Sequence, residues 1–146
     1  PGQLVAHTSG KYGYSILNPA AQAGSIPLAI HPAMKFTGTN SDAARIRESY
    51  FAVAAPAVAL PIAQALVIEM GAEPITIAEE DRAKYFEAIS VASSFSSMIV
   101  NQSIGMLEEI GIEAASSVLA PLIRSSVEVA LSQGHKPIDP TELLES

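Results

Sequence analysis

The 146-residue sequence contains no cysteine, which excludes disulfide bonds and thiolate chemistry. Only 16% of its residues are charged, and none between Lys84 and Arg124 is a lysine or an arginine. With a net charge of −7 the chain offers no basic patch to a phosphate backbone, so we expect no nucleic-acid partner. A secretory signal peptide is missing as well, and this combination is typical of a cytoplasmic protein.

The sequence also lacks the short motifs that most often identify an enzyme. None of the patterns G-x-G-x-x-G, P-loop, H-E-x-x-H and G-x-S-x-G occurs in it. Its 3 histidines, at positions 7, 31 and 135, are too scattered for their spacing to indicate a metal site. Motif spacing alone therefore assigns no cofactor, metal or catalytic triad.

Hydrophobic residues make up 49% of the chain, which is enough for one domain with a real core. The first half alternates strand and helix patterns, which predicts an α/β sheet with mainly parallel pairing and crossover helices. Pro27 favours an edge position or an irregular entry for the second strand. The predicted strands are residues 4–7, 26–31, 50–54 and 74–77, and the predicted helices are residues 14–21, 40–48, 56–70 and 113–133.

The two ends of the chain carry expectations of their own. Because it starts at Pro1 rather than at a methionine and soon enters an apolar strand, we expect it to be part of a longer protein. The tail from Gly134 is polar and rich in proline, so we expect it to be loosely held. No strand is predicted after residue 77.

One long element dominates the second half, where residues 76–111 predict a single, mostly buried helix. Thr76 and Glu79 have the spacing of a capping box at its start, and Gly111 can end it in the left-handed conformation. No charged residue occurs within residues 88–107, and apolar side chains point in every direction around the axis. Such a helix is covered either by neighbouring protein or by lipid.

Neighbouring protein is the better cover for this helix. The serines within residues 90–97 are too polar for a lipid-facing segment and favour close helix packing, although they could also line a pocket. We therefore expect no membrane insertion. Because a chain of this length cannot cover the helix alone, we expect a homodimer that buries more than about 2,000 Å² through residues 88–133.

Two strand ends carry the side chains best suited to chemistry. They are His7, Thr8, Ser9 and Gly10 after the first strand, and His31 and Pro32 at the end of the second. Ligands of open α/β sheets bind beyond the carboxyl ends of strands, where an imidazole can donate a proton near neutral pH. The alternative is that each histidine hydrogen-bonds a nearby backbone group and orients its loop. Ser9 likewise suits either a ligand or a turn cap.

Several stretches resemble one bacterial family of Rossmann-like proteins. They are VAHTSG at 5–10, IPLAIHPAMKFTG at 26–38, QALVIEMGAEP at 64–74, and Lys84-Tyr85, within a similarity that covers most of residues 3–133. The C-terminal half of these proteins is a domain of unknown function in the 6-phosphogluconate dehydrogenase C-terminal-like superfamily. Pyrroline-5-carboxylate and ketopantoate reductases are distant relatives, and the actinobacterial branch is the most similar.

This resemblance implies the end of a Rossmann-like parallel sheet in residues 1–77 and a helical dimerisation and substrate domain in residues 78–146. It implies an NAD- or NADP-dependent reductase of a small carbonyl or imine compound, whose glycine-rich nucleotide half lies upstream. Residues 8–10 would then lie beside the nicotinamide or the substrate, and His31 would be the proton donor.

The chain departs from the family pattern at two places. Where the family has Tyr-His-Ala-Ala and then an Asn seven residues after the His, this chain has Phe86 and Ser94. A terminal arginine of the family has no counterpart in residues 139–145. Phe86 cannot transfer a proton, which favours the alternative function, a non-catalytic dimer that binds a ligand or nucleotide. In either case Phe86 and Ser94 are expected to line the far wall of the crevice.

Overall fold

The computed structural model describes residues 1–137; residues 139–145, where the family arginine was sought, lie outside this range. Its four-stranded sheet followed by long helices confirms the predicted fold class. The strands are β1 (Leu4–His7), β2 (Ile26–Pro32), β3 (Tyr50–Ala54) and β4 (Glu73–Thr76). The helices are α1 (Asn18–Gln22), α2 (Ser41–Ile46), α3 (Leu60–Glu69), α4 (Arg82–Glu109) and α5 (Ala115–Gln133); 3₁₀ turns at Tyr14–Leu17 and Glu79–Asp81 precede α1 and α4.

The strands lie in the order β1-β2-β3-β4, and the pairs β1/β2 and β3/β4 are parallel as predicted. The β2/β3 pair is antiparallel, which the sequence did not predict. The position of the next strand accounts for the difference. β3 starts beside the end of β2, where the Ala33 N–H donates to the Tyr50 carbonyl at 2.9 Å, so it runs back along β2 in the antiparallel direction.

Pro27 lies near the start of an inner strand, so of the two positions expected for it, an edge and an irregular entry, it is not at the edge. The register explains why it is tolerated. The Ile26 N–H donates to the Gln3 carbonyl on the β1 side, so the backbone nitrogen of Pro27 points to the opposite side. β3 pairs with β2 only from Ala29 to Pro32, so no strand on that side needs the N–H that proline lacks.

The core lies between α3 and the inner strands. Alternate residues of each strand point to one face of the sheet, and this face is apolar in β2 and β3. α3 begins at Leu60, later than the predicted Pro56, because the Ala59 and Leu60 N–H groups first close a turn onto the Pro56 carbonyl. The buried cluster comprises Leu28, Ile30, Phe51, Val53, Ala59, Ala63, Val67 and Ala72.

The long helix also begins later than predicted. Thr76 belongs to β4, and its hydroxyl accepts a hydrogen bond from the Gln64 side chain at 3.3 Å. The predicted capping box with Glu79 does not form, and α4 starts at Arg82. Gly111, with a φ of 88°, follows the helix in the left-handed conformation predicted for it.

The chain forms two compact units, which we call the sheet unit (Pro1–Ser94) and the helical unit (from Phe95 onward). The sheet unit therefore includes the first turns of α4. The helical unit exposes many of its large apolar side chains, among them Met98 and Leu131 at 64% and 76%, so the described residues do not supply the burial expected for the long helix. No helix in the described part of the chain is long and apolar enough to cross a membrane. The domain boundary predicted after residue 77 stays a prediction.

Candidate functional site

The carboxyl ends of β1 and β2 meet at one edge of the sheet because the two strands are parallel. The turn that follows β1 passes directly against His31. A Cβ added to the buried Gly10 would lie 2.9 Å from His31 Nε2, closer than side chains normally approach. Any larger residue at this position would have to displace the His31 ring. The fold brings Gly10 and His31, two of the predicted site residues, into contact.

His7 uses both ring nitrogens to hold its own loop. Its Nε2 lies 2.7 Å from the Gly13 carbonyl, and its Nδ1 accepts the Ser9 N–H at 3.1 Å. An acceptor at Nδ1 and a donor at Nε2 define one neutral tautomer. Ser9 Oγ in turn accepts the Lys11 N–H at 3.2 Å. This geometry favours the alternative stated for His7 and Ser9, in which they shape the loop.

His31 instead faces a side chain of α4. Its Nδ1 lies 2.5 Å from the Tyr85 hydroxyl, and the two rings meet edge to face with centroids 5.5 Å apart. Partial burial, together with the nearby charge of Arg82, lowers the pKa of His31 below its ordinary value. Burial raises the pKa of Tyr85, against the opposing effect of Arg82. At neutral pH a neutral imidazole therefore contacts a protonated phenol.

Arg82 completes this cluster from the first turn of α4. Only 3% of the residue is exposed. Its Nη2 donates to the Ser9 carbonyl at 2.9 Å, and its guanidinium carbon lies 5.3 Å from the centroid of the Tyr85 ring. Among the described residues, neither its Nε nor its Nη1 has a hydrogen-bond partner. Burial lowers the pKa of Arg82, and the charges of Tyr85 and Glu79 oppose that effect. An arginine nevertheless stays charged in proteins.

The face of α4 that contributes to this cluster also borders a neighbouring cavity. Residues three or four apart lie on the same side of a helix, so Arg82, Tyr85 and Ile89 follow one another along that face. Beyond Tyr85 the face borders a cavity of about 300 Å³. The cavity is lined by Ala33, Met34, Lys35, Ile89, Ala92 and Ser93. A polar cluster and a largely apolar cavity thus adjoin at the carboxyl end of β2.

Glu79 holds the loop that precedes α1. Its carboxylate accepts the Tyr14 N–H at 2.7 Å and the Ser15 hydroxyl at 2.8 Å, so it caps the 3₁₀ turn there from a distant part of the chain. A Cβ on Gly13 would collide with that carboxylate. Glu79 also borders a second cavity of about 300 Å³ at the ends of β3 and β4. In the described part of the chain, no group of three or more metal-ligating side chains occurs.

The other predicted site residues lie away from the His31–Tyr85 contact. Thr8 is exposed, and Pro32 is buried opposite Phe51 in the sheet. Phe86 is 38% exposed and Ser94 is exposed. Each is one residue beyond a position that contacts the cluster or cavity, which turns it about 100° away around the helix. Their assignment to the site stays a prediction.

Tyr85 and Arg82 were missed by the sequence reasoning. Tyr85 entered the sequence argument only through the family resemblance at Lys84-Tyr85, which gave it no role in the site, and no pattern marked Arg82. Tyr85 is 54 residues from His31 along the chain, and Arg82 is 73 residues from Ser9. The available signal was their spacing of three residues, which aligns them with the apolar face that continues through Ile89.

Family models match two parts of the chain. The model of the domain of unknown function DUF2520 matches residues 49–138. The model of a Rossmann-like domain matches residues 1–32. Together they confirm the resemblance stated from the sequence. No curated protein matches the chain significantly.

Two solved structures share the fold. Protein TM1727 from Thermotoga maritima aligns with a TM-score of 0.71 and 18% identity, over 86% of this chain and 48% of its own. The "putative NADP oxidoreductase BF3122" from Bacteroides fragilis aligns with a TM-score of 0.67 and 16% identity, over 86% of this chain and 46% of its own. The chain therefore spans about half the length of each of these proteins.

Proposed function

The chain belongs to the family defined by the domain of unknown function DUF2520, and on that basis we propose that it forms the substrate side of an NAD(P)-dependent oxidoreductase. The substrate is a small carbonyl or imine compound. The Rossmann-like match and the fold shared with the Bacteroides fragilis protein support this assignment. Because the chain spans about half of that protein, the nucleotide-binding half belongs to the proposal and not to the described structure.

The contact between His31 and Tyr85 carries the proposal. Tyr85 keeps its proton because burial raises its pKa, and His31 is neutral because burial lowers its own. The phenol then donates to Nδ1 across their 2.5 Å contact, which leaves the imidazole proton on Nε2. Nε2 is the nitrogen that faces Gly10 at the predicted crevice.

This arrangement can deliver one proton to the substrate as it is reduced. When bound, the nicotinamide cofactor would supply a hydride to the substrate carbon. His31 gives its Nε2 proton to the substrate oxygen or nitrogen, while Tyr85 passes its hydroxyl proton to Nδ1. The imidazole stays neutral, and water reprotonates the phenolate. Gly10 has no side chain, so the turn after β1 can lie against the His31 ring without a clash at Nε2.

The test uses the full-length protein. NADH and NADPH are titrated by calorimetry, and oxidation of the bound cofactor is followed with a panel of small carbonyl and imine compounds. His31→Gln should keep cofactor binding and lose hydride transfer by about 100-fold or more, the typical contribution of a proton donor. His135→Gln, at an exposed position, is the matched control. Failure of the wild type to bind either cofactor would contradict the assignment.

A non-catalytic ligand-binding protein is the second candidate function. It is favoured by Phe86, which stands where the family has a histidine and cannot transfer a proton. It predicts cofactor binding by the wild type with no hydride transfer to any compound of the panel. The same two measurements therefore separate the two functions.

We also propose that the helical unit pairs with a second copy of the chain. Met98, Ile110 and Leu131 expose 64%, 73% and 76% of their surface, and apolar faces of this extent usually mark interfaces. Met98→Glu should weaken a dimer, whereas Val58→Glu, at an 88% exposed site in the sheet unit, should not. Sedimentation velocity at micromolar concentration measures the difference. A stable wild-type monomer would exclude this dimer.

A further inference from the structure

Within residues 1–137, Arg82 is a buried charge without a counterion. It is 3% exposed, and neither of the ion pairs within the described residues includes it. Glu79, a carboxylate close enough to influence its pKa, is already engaged by the Tyr14 and Ser15 backbone and hydroxyl groups. Of the described residues, only Ser9 accepts a hydrogen bond from the guanidinium, through its carbonyl.

Such an arrangement is unfavourable in the ligand-free protein. Buried polar groups are nearly always hydrogen-bonded, and a buried charge normally has a partner. Arginine does not lose its proton in proteins, so the buried charge is not neutralised in that way. Two free donors, Nε and Nη1, therefore remain available to an anion beside the proposed reacting centre.

The ligand chemistry follows from the space around the guanidinium. Neither nitrogen touches solvent, so the entering group must displace the side chains that shield them and must be small. A planar carboxylate meets this condition better than a tetrahedral phosphate. A carboxylate oxygen can also accept a charge-assisted hydrogen bond from either free N–H group of the guanidinium. Arg82 is one helical turn from Tyr85, so the carboxylate belongs to the molecule whose carbonyl or imine faces His31.

The cavity on the other side of Tyr85 indicates what else the substrate carries. It follows Tyr85 along the same face of α4 and is lined by Ala33, Met34, Ile89 and Ala92, with Lys35 and Ser93 as its polar members. Its volume of about 300 Å³ is at the small end of ligand pockets. We infer that the site takes a 2-oxo acid or the corresponding imino acid with an apolar side chain, and that Arg82 binds its carboxylate. This inference rests on the proposed reductase function.

The direct test is NMR spectroscopy of the full-length protein, with the Nε–H signal of Arg82 as the reporter. The probes are 4-methyl-2-oxopentanoate, its neutral methyl ester, pyruvate and inorganic phosphate. The free acid should shift the signal saturably, and the ester and phosphate should not. Pyruvate should bind more weakly, by roughly fourfold for each methylene that the cavity no longer buries.

Variants separate a binding role from a structural one. Arg82→Met should weaken binding of the free acid about 10- to 100-fold, as expected for loss of hydrogen bonds to a charged group. Arg82→Lys should restore part of it, and the exposed control Arg47→Met should not change it. If Arg82→Met fails to fold, the wild-type signal and Arg82→Lys still decide the question. Equal binding of acid and ester, or a saturable shift with phosphate alone, would overturn the inference.

Hydride transfer distinguishes this inference from the function on which it rests. Binding of the free acid at Arg82 without cofactor oxidation would refute the reductase and keep the carboxylate site. Faster reduction of the methyl ester than of the acid would keep the reductase and refute the carboxylate site.

Discussion

The two units of this chain differ in how much of their apolar surface is buried. The sheet unit closes its core inside one chain, where Leu28, Val53 and Val67 are fully buried. The helical unit has comparable apolar residues but leaves them exposed, such as Ile99 at 64%. Burial of apolar area is the main favourable term in folding, so the sheet unit should account for most of the stability of the isolated chain.

The difference also separates the two kinds of function. The sheet unit fixes short contacts between distant residues, such as His31 with Tyr85, which only a closed core can hold in place. The helical unit presents apolar surface that suits association with another chain. The same type of substitution should therefore have unequal effects in the two units. Matched pairs of variants, one in each unit, test this difference.

The largest expected effect comes from a matched pair of leucines. Leu28→Ala empties a fully buried position of the sheet unit and should lower the free energy of unfolding by about 2–5 kcal/mol. Leu131→Ala, at a position that is 76% exposed in the helical unit, should change it by less than about 0.5 kcal/mol in a monomer. Urea unfolding followed by circular dichroism measures both. Similar losses would mean that the helical unit also has a closed core.

A matched pair of glycines should give effects of opposite sign. Gly13→Ala forces the Glu79 carboxylate away from the loop that it caps and should destabilise the protein by about 1–3 kcal/mol. Gly105→Ala places a methyl group in open space on α4 and should stabilise that helix by up to about 1 kcal/mol. Thermal unfolding measures the two changes. A neutral Gly13→Ala would show that Glu79 does not fix this loop.

The smallest expected effect is a pH dependence of stability. The pKa of His31 is lower in the folded protein than its ordinary value, so the unfolded chain binds more protons as the pH falls. The contribution of His31 to the free energy of unfolding should therefore be fully present above about pH 6.5, the ordinary histidine pKa. It should decline below that pH until the folded-state pKa is passed. His31→Gln should flatten this slope, and His135→Gln should leave it. An unchanged slope in His31→Gln would place its origin in another residue.

Local patterns predicted the elements of the fold but not all of their pairings. Each predicted strand forms, because apolar alternation and turn residues act within a few neighbours. The antiparallel β2/β3 pair was not predicted because strand direction depends on where the connection places the start of β3, which no local pattern specifies. The predicted capping box at Thr76 was wrong because this residue pairs in β4.

The candidate site was predicted in part, for the same reason. The rule that ligands meet the carboxyl ends of strands selected Gly10 and His31, which the fold places in contact. Tyr85 and Arg82 join them across long sequence separations, and no local pattern specifies such a meeting. His7 looked equivalent to His31 in the sequence, yet its two bonds to its own loop appear only in three dimensions.

Hydride transfer by Tyr85→Phe tests the central claim most directly. This variant keeps the aromatic ring and removes the hydroxyl that contacts His31 Nδ1. In the full-length protein, with the carbonyl compound that the wild type reduces fastest, single-turnover transfer should fall by about 10- to 100-fold while the cofactor dissociation constant is unchanged. Tyr12→Phe, at a residue that is 45% exposed, should behave as the wild type does. Full activity in Tyr85→Phe would show that the His31–Tyr85 contact is structural and would contradict the proposed proton delivery.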